Sequence, residues 1–196
     1  MIPSPHSEQD VIARILAGGH RDYAILVNRY KDRAFTLAFR LVEDREAAEE
    51  LVQDAFVRAY RSLDRFRGEA SFGTWLYRIV YNLCMSRISR EGKRVLTVEI
   101  SDELDASADS AGERNPTPLE QIEEEELQHR IGEEIARLPA QMRTAVLLFY
   151  VEGLSYSAMA SVMQIPIGTV KTLLFRGRSR LRERIKGRCD KEVNVT

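Results

Sequence analysis

The chain has 196 residues, 44% of them hydrophobic, which allows one large or two small domains with modest cores. Its 29 Lys and Arg balance 30 Asp and Glu to a net charge of −1, which by itself argues neither for nor against nucleic acid and hides a basic end and an acidic middle. Two cysteines without CxxC spacing and three scattered histidines exclude a disulfide framework and a zinc site, and no apolar run approaches the roughly 20 residues that span a bilayer.

The N-terminus lacks a basic region followed by an apolar one, so the expected location is the reducing cytosol. A first helix is expected from Glu8 to Ala17, stopped by Gly18 and Gly19. A second runs from about Asp22 to Leu41, with Tyr23, Leu26, Val27, Tyr30, Ala34, Leu37 and Ala38 on its apolar side. Asp44 caps a third, Arg45 to about Leu63, which buries Ala48, Leu51, Val52, Ala55, Phe56 and Ala59. That helix turns Glu46, Glu50, Gln53, Asp54, Val57 and Arg61 outward; one valine on an acidic face suits docking, although most charged helix faces are merely solvated.

The segment from Arg65 to Asn82 carries five aromatics and three arginines. Gly68 and Gly73 break the chain around a short loop, and Leu76, Ile79, Val80 and Leu83 then form a buried helical stripe. At 100° per residue Thr74, Tyr77, Arg78, Tyr81 and Asn82 point the other way, with Trp75 on the edge. Stacking rings, hydrogen-bonding groups and cations on one surface suit unstacked nucleic acid. Taken singly, Phe66, Phe72 and Trp75 read as core residues, the commoner fate of an aromatic; the constellation favours DNA. Cys84 falls near the buried stripe and reads as an inert thiol; Cys189 falls in a polar tail.

After about Arg90 an acidic stretch rich in Ser, Ala and Asp reads as a flexible linker, ended by the capping box Thr117-Pro-Leu-Glu120. Helical blocks follow at about Leu119 to Arg137, Ala140 to Glu152 and Ser155 to Met163, then a basic helix from about Gly168 to Lys186. Two short helices around a brief turn, the second positively charged, form a helix-turn-helix pattern. On the last helix Val170, Leu174, Gly177 and Leu181 share the inner side, while Thr172, Phe175, Arg176 and Ser179 face out. Phenylalanine beside arginine there suits contact with a thymine methyl and with guanine. The fold expected is all-α: two small helical domains joined by an acidic linker, divided as residues 1–90, a linker 91–117, a helix-turn-helix domain 118–188 and a tail 189–196.

The strings Ala48-Glu-Glu-Leu-Val-Gln-Asp-Ala-Phe56, Arg58-Ala-Tyr-Arg61 and Phe66-Arg-Gly-Glu-Ala-Ser-Phe-Gly-Thr-Trp-Leu-Tyr-Arg-Ile79 with Asn82 stand ahead of Leu138-Pro139, Gly153-Leu-Ser-Tyr156, Ala160, Ile165-Pro-Ile-Gly-Thr-Val-Lys171 and Phe175-Arg-Gly-Arg178. Together they resemble an extracytoplasmic-function sigma factor of bacterial RNA polymerase, over most of the chain. The resemblance implies that Glu50, Gln53, Asp54, Val57 and Arg61 bind core polymerase. It implies that Arg67, Ser71, Phe72, Thr74, Trp75, Arg78 and Asn82 recognise and melt the minus-ten element, with capture of a flipped base. Thr169, Lys171, Thr172, Phe175, Arg176, Arg178, Ser179 and Arg182 would read the minus-thirty-five element as duplex. The partners implied are core polymerase, promoter DNA and an anti-sigma factor, with no cofactor and no enzymatic activity, and the acidic linker would thread toward the polymerase active centre. Leu173 stands where the family commonly has arginine, and Ser157 where it has an acidic residue, so the promoter sequence is not carried over.

The main rival is a helix-turn-helix repressor or activator that is no polymerase subunit; it accounts for the basic helix but not for the aromatic loop. An enzyme acting on nucleic acid is disfavoured, because the sequence has no metal-ligand cluster, no phosphate-cradling glycine loop and no nucleophile with a matching base.

Overall fold

The computed structural model describes residues 7–92 and 130–193, the last eight as backbone only. Four helices make the N-terminal half: α1 (Glu8–Leu16), α2 (Tyr23–Val42), α3 (Arg45–Arg61) and α4 (Phe72–Arg90), with single 3-10 turns before α2 and after α3. The C-terminal half contains α5 (130–136), α6 (Ala140–Tyr150), α7 (Tyr156–Met163) and α8 (Ile167–Val193). The described residues contain no strand.

Side chains set the starts of these helices. Ser7, Asp44, Ser71 and Ser155 each accept a hydrogen bond from a backbone N–H three residues on, at 3.2, 3.0, 3.1 and 3.3 Å respectively. Each satisfies one of the donors a helix N-terminus leaves open, an effect worth about 1 kcal/mol. Glu43 and Gln164 close α2 and α7 in the left-handed region, at φ 61° and 57°.

Helices α2, α3 and α4 pack on one another, and Leu26, Leu37, Leu41, Val52, Phe56, Leu76 and Val80 fill the space between them. In the second half α6 packs on α8, and α7 and α8 meet at 100°, the geometry of a helix-turn-helix. Gly177 lies at the α6–α8 contact: a Cβ there would sit 3.0 Å from Val146 Cγ2, so the approach of the helices depends on its absence. Glu134 of α5 is buried and pairs with Arg137 at 2.5 Å and with Arg184 of α8 at 3.6 Å.

The two halves are in contact. Helix α7 lies along α4, and the Tyr77 hydroxyl donates to Glu152 Oε2 at 2.6 Å. The Arg143 guanidinium, nearly buried, joins two helix ends. One amino group donates to Arg40 O at 3.1 Å, to Leu41 O at 3.3 Å and to the Glu43 carboxylate; the other donates to Ala136 O and to Leu138 O at 3.2 Å. The last carbonyls of a helix lack intrahelical donors and carry the negative end of its dipole, so a cation there is doubly favourable.

Three expectations change. Tyr77 and Tyr81, read as outward, are 3% and 6% exposed, because the face opposite the Leu76–Val80 stripe is covered by α7. Thr74 on the same face is buried as well. Helix α8 continues to Val193, past the expected end at Lys186, so Cys189 lies on a helix. Most of the acidic linker, the Thr117–Glu120 capping box and the start of the helix from Leu119 lie outside the described residues.

Arg143→Met should lower stability by about 2–4 kcal/mol, since it strips charged donors from buried carbonyls. Urea denaturation checks this against Arg45→Met, which removes only an exposed pair with Glu49 and should cost less than about 0.5 kcal/mol.

Candidate nucleic-acid interface

The loop between the second 3-10 turn and α4 bends at Gly68, where φ is 71°, a conformation suited to glycine. Its floor is aromatic. Phe66, Phe72 and Trp75 form a triangle with ring centroids 6.1, 5.3 and 5.7 Å apart. Phe72 is fully buried, so this expected contact residue is a structural member of the loop whose ring supports the other two. Trp75 and Phe66 are half-buried.

Above that floor lies a cavity of about 540 Å³, lined by Arg65, Phe66, Arg67, Ser71, Thr74, Trp75 and Arg78, and on the far side by Ser157, Ala158 and Ser161 of α7. Its size falls within the range of small-ligand pockets. Arg67 and Arg78 supply exposed cations at its rim. Thr74 is 5% exposed, with Oγ1 2.9 Å from Ser71 Oγ, and so braces the helix start. Asn82 is exposed two turns beyond Trp75. Arg78 Nε donates to the Gln164 side-chain oxygen at 2.9 Å in the amide orientation that satisfies both groups. Ser161 and Gln164 carry no sequence signal and Ser157 none for this site, since their role arises only from the packing of α7 on α4.

The second surface is α8. Lys171, Phe175 and Arg182 are exposed, and Thr172, Arg176, Arg178 and Ser179 are partly so. Thr169 is 9% exposed, too enclosed for a contact in this conformation. Thr172 returns its hydroxyl to Gly168 O at 3.0 Å, and Leu173 is fully buried, which explains why an apolar residue stands there. The third surface is the outer side of α3, where Glu50, Gln53, Val57 and Arg61 are exposed and Asp54 is half-buried. Asp54 holds Arg58 one turn on, at 2.8 Å. Tyr60 extends this surface; its hydroxyl lies 2.7 Å from His20 Nδ1 and its ring 4.9 Å from that of Tyr23.

Buried hydroxyls and a buried thiol frame these surfaces. Burial, then the hydrogen bond to Glu8, pushes the Tyr30 hydroxyl up to about 12. Burial, then the bond to Glu152, raises Tyr77 further. Burial pushes the Cys84 thiol up to about 12, so it is unreactive at neutral pH. Among the described residues no cluster of His, Cys, Asp and Glu could hold a metal ion, and no single helix is long and apolar enough to cross a membrane.

Residues 26–94 match the sigma-70 region 2 family and residues 128–181 the sigma-70 region 4 family. The chain is 36% identical over 174 residues to the RNA polymerase sigma-H factor of Pseudomonas aeruginosa, covering 87% of this chain and 90% of that protein. It is 34% identical over 183 residues to the ECF RNA polymerase sigma-E factor of Haemophilus influenzae, covering 92% and 96%. Among solved structures it is similar to CnrH in complex with the cytosolic domain of CnrY, at TM-score 0.66 and 20% identity over 93% of this chain and 99% of that one. It is also similar to the sigma factor RpoE in complex with the anti-sigma factor NepR from Bartonella quintana, at TM-score 0.61 and 24% identity over 85% and 98%. At those identities the structures speak for the fold.

Because Cys84 and Tyr30 hold their protons to about 12 when folded, against ordinary values of 9.0 and 10.0, the folded state binds more protons above pH 9. Their stabilisation is therefore complete below pH 9 and lost as pH rises through 12. Urea midpoints should fall steadily from pH 9 to 11, and Tyr30→Phe and Tyr77→Phe should each flatten the decline.

Proposed function

The chain belongs to the extracytoplasmic-function branch of the sigma-70 family, and we propose that it is a promoter-specificity subunit of bacterial RNA polymerase, a regulatory subunit with no catalysis of its own. The observation that carries this is the joint occurrence of the Trp75–Arg78 cavity and the α7–α8 helix-turn-helix in one chain. A repressor has use for the second and none for the first.

The roles divide along the chain. Residues 1–90 bind core polymerase and the minus-ten element, 91–117 are a linker, 118–188 read the minus-thirty-five element, and the tail 189–196 begins within the end of α8. Glu50, Gln53, Asp54, Val57 and Arg61 offer polymerase a mixed face with an apolar centre, Val57 being 41% exposed. Arg67, Trp75, Arg78 and Asn82 face unpaired DNA, while Ser71, Thr74 and Phe72 shape the pocket. A base that leaves the duplex costs a few kcal/mol, and stacking on Trp75 returns about 1–3 kcal/mol, so only a fitting base is held. On α8, Lys171, Arg178 and Arg182 suit phosphates, and Thr172, Phe175, Arg176 and Ser179 suit base edges. Thr169, 9% exposed, stands behind them at the start of α8. An anti-sigma factor is the expected regulator, in keeping with the complexes that the similar structures form, and the cytoplasm is the expected compartment.

Gel shifts test the class: the chain should bind promoter DNA specifically with core polymerase and weakly alone, whereas duplex operator binding without polymerase would favour a repressor. In permanganate footprints of the holoenzyme, Trp75→Ala should retain closed complexes and lose most thymine reactivity, because stacking is felt only after bases unpair. Equal reactivity in variant and parent would return Trp75 to the core.

On a library of minus-thirty-five sequences, Arg176→Ala should relax discrimination at one position, by about 1–3 kcal/mol. Arg182→Ala should weaken all members alike and lower the salt slope by about one contact. A uniform shift from both variants would mean that Arg176 does not read bases.

A further inference from the structure

Helix α1 is remote in sequence from the aromatic loop, yet its first residue reaches the loop's end. Glu8 Oε1 accepts a hydrogen bond from the Phe72 backbone N–H at 2.8 Å, and Oε2 accepts from the Tyr30 hydroxyl, with Arg29 Nη1 3.9 Å away. Phe72 is the first residue of α4, so its N–H is one of those the helix leaves open. The carboxylate also lies at the positive end of the α4 dipole. Ser71 caps the same turn from within the loop, so the start of α4 is held both locally and from α1.

Tyr30 completes the arrangement. Its ring lies over the first turn of α4, where a Cβ on Gly73 would come within 2.7 Å of Cε1, and its centroid is 5.5 Å from that of Phe72. Glycine at position 73 therefore lets the ring approach, the hydroxyl orients the carboxylate, and the carboxylate fixes the Phe72 backbone. Phe72 is in turn the support on which Phe66 and Trp75 rest, and Ser71 and Thr74 form part of the cavity wall.

We propose that Glu8 is a positioning residue for base capture, acting through the Phe72 N–H and Tyr30 to set the first turn of α4 and the shape of the cavity beside it. This rests on the reading of that cavity as the site of an unpaired base. Glu8 touches no DNA in this scheme; its effect appears only where a base enters the pocket.

The test uses holoenzyme assembled from each variant and core polymerase, with fluorescence anisotropy on single-stranded minus-ten oligonucleotides, intact or abasic at each position in turn. Parent holoenzyme should lose affinity at the abasic position whose base the pocket takes. Glu8→Ala should bind the intact strand about three- to tenfold more weakly and the abasic strand as the parent does, so that its penalty for the missing base largely disappears. Glu8→Gln, whose amide oxygen still accepts from Phe72, should stay within about twofold of the parent. Should Glu8→Ala not fold, Tyr30→Phe, which keeps the ring over Gly73, should give the same selective loss at smaller size.

Weakening of intact and abasic strands by one common factor would assign Glu8 to general stability and overturn the proposal, as would full discrimination by both Glu8→Ala and Tyr30→Phe. A parent indifferent to every abasic substitution would overturn the base-capture reading itself, and the proposal with it.

Discussion

A helix that carries Leu76 and Val80 on one side and Tyr77 and Tyr81 on the other needs an apolar partner on each, and α4 has both. Helices α2 and α3 cover the first side and α7 the second. The tyrosines tolerate such a position because each pairs a large apolar ring with a polar tip. Tyr77 places its ring between the halves and gives its hydroxyl to Glu152 at the edge. The loop before α4, the cavity beside it and the seat of the helix-turn-helix all follow from where this one helix lies.

Much of that arrangement is legible locally. Asp44 marks a helix start because a short oxygen side chain just before an apolar-periodic run has few other uses, whereas the same role of Ser7, Ser71 and Ser155 emerges only in the fold. The inner stripe of α8 follows in the same way from spacing alone, and so does the outward position of Phe175. The burial of Tyr77 and Tyr81 is not legible in the sequence for a physical reason: periodicity shows which residues share a face but not what covers it. The covering helix begins at Tyr156, and no local pattern reports a contact across that separation. Gly177 and Gly73 illustrate the same limit. In sequence Gly177 is only a cost of about 1 kcal/mol inside a helix and Gly73 reads as a break at the loop, although it lies within the first turn of α4. In the fold each is where another group comes within a methyl's reach, Val146 in one case and the Tyr30 ring in the other. Glu8 was legible as part of a helix start, whereas its bond to Phe72, 64 residues away, was not.

Charge contributes unevenly. The pairs of Arg45 with Glu49 and of Arg58 with Asp54 are exposed i,i+4 contacts, screened by solvent and worth a few tenths of a kcal/mol. Arg143 differs in kind, because its partners include carbonyls that water does not reach and its planar fork can serve two helix ends at once. One side chain thereby completes α5 and holds the second half to α2.

That division of partners decides what a separation of the two halves would cost. If Arg143 bonded only to α2, separation of the halves would leave a buried guanidinium without acceptors, at a cost of several kcal/mol. Its second amino group instead remains bonded to Ala136 O and Leu138 O within its own domain. The groups released are the end of α2 and Glu43, whose side chain is already 51% exposed and able to take up water. Glu152 and Arg78 likewise lie at the rim of the contact, so their pairings can pass to solvent or to phosphate. The apolar part of the α4–α7 contact must still be matched, and a base stacked on Trp75 together with phosphates at Arg67 and Arg78 are the groups DNA would bring. The cavity between α4 and α7 is thus lined on one side by the residues that would hold a base and on the other by Ser157, Ala158 and Ser161 of α7.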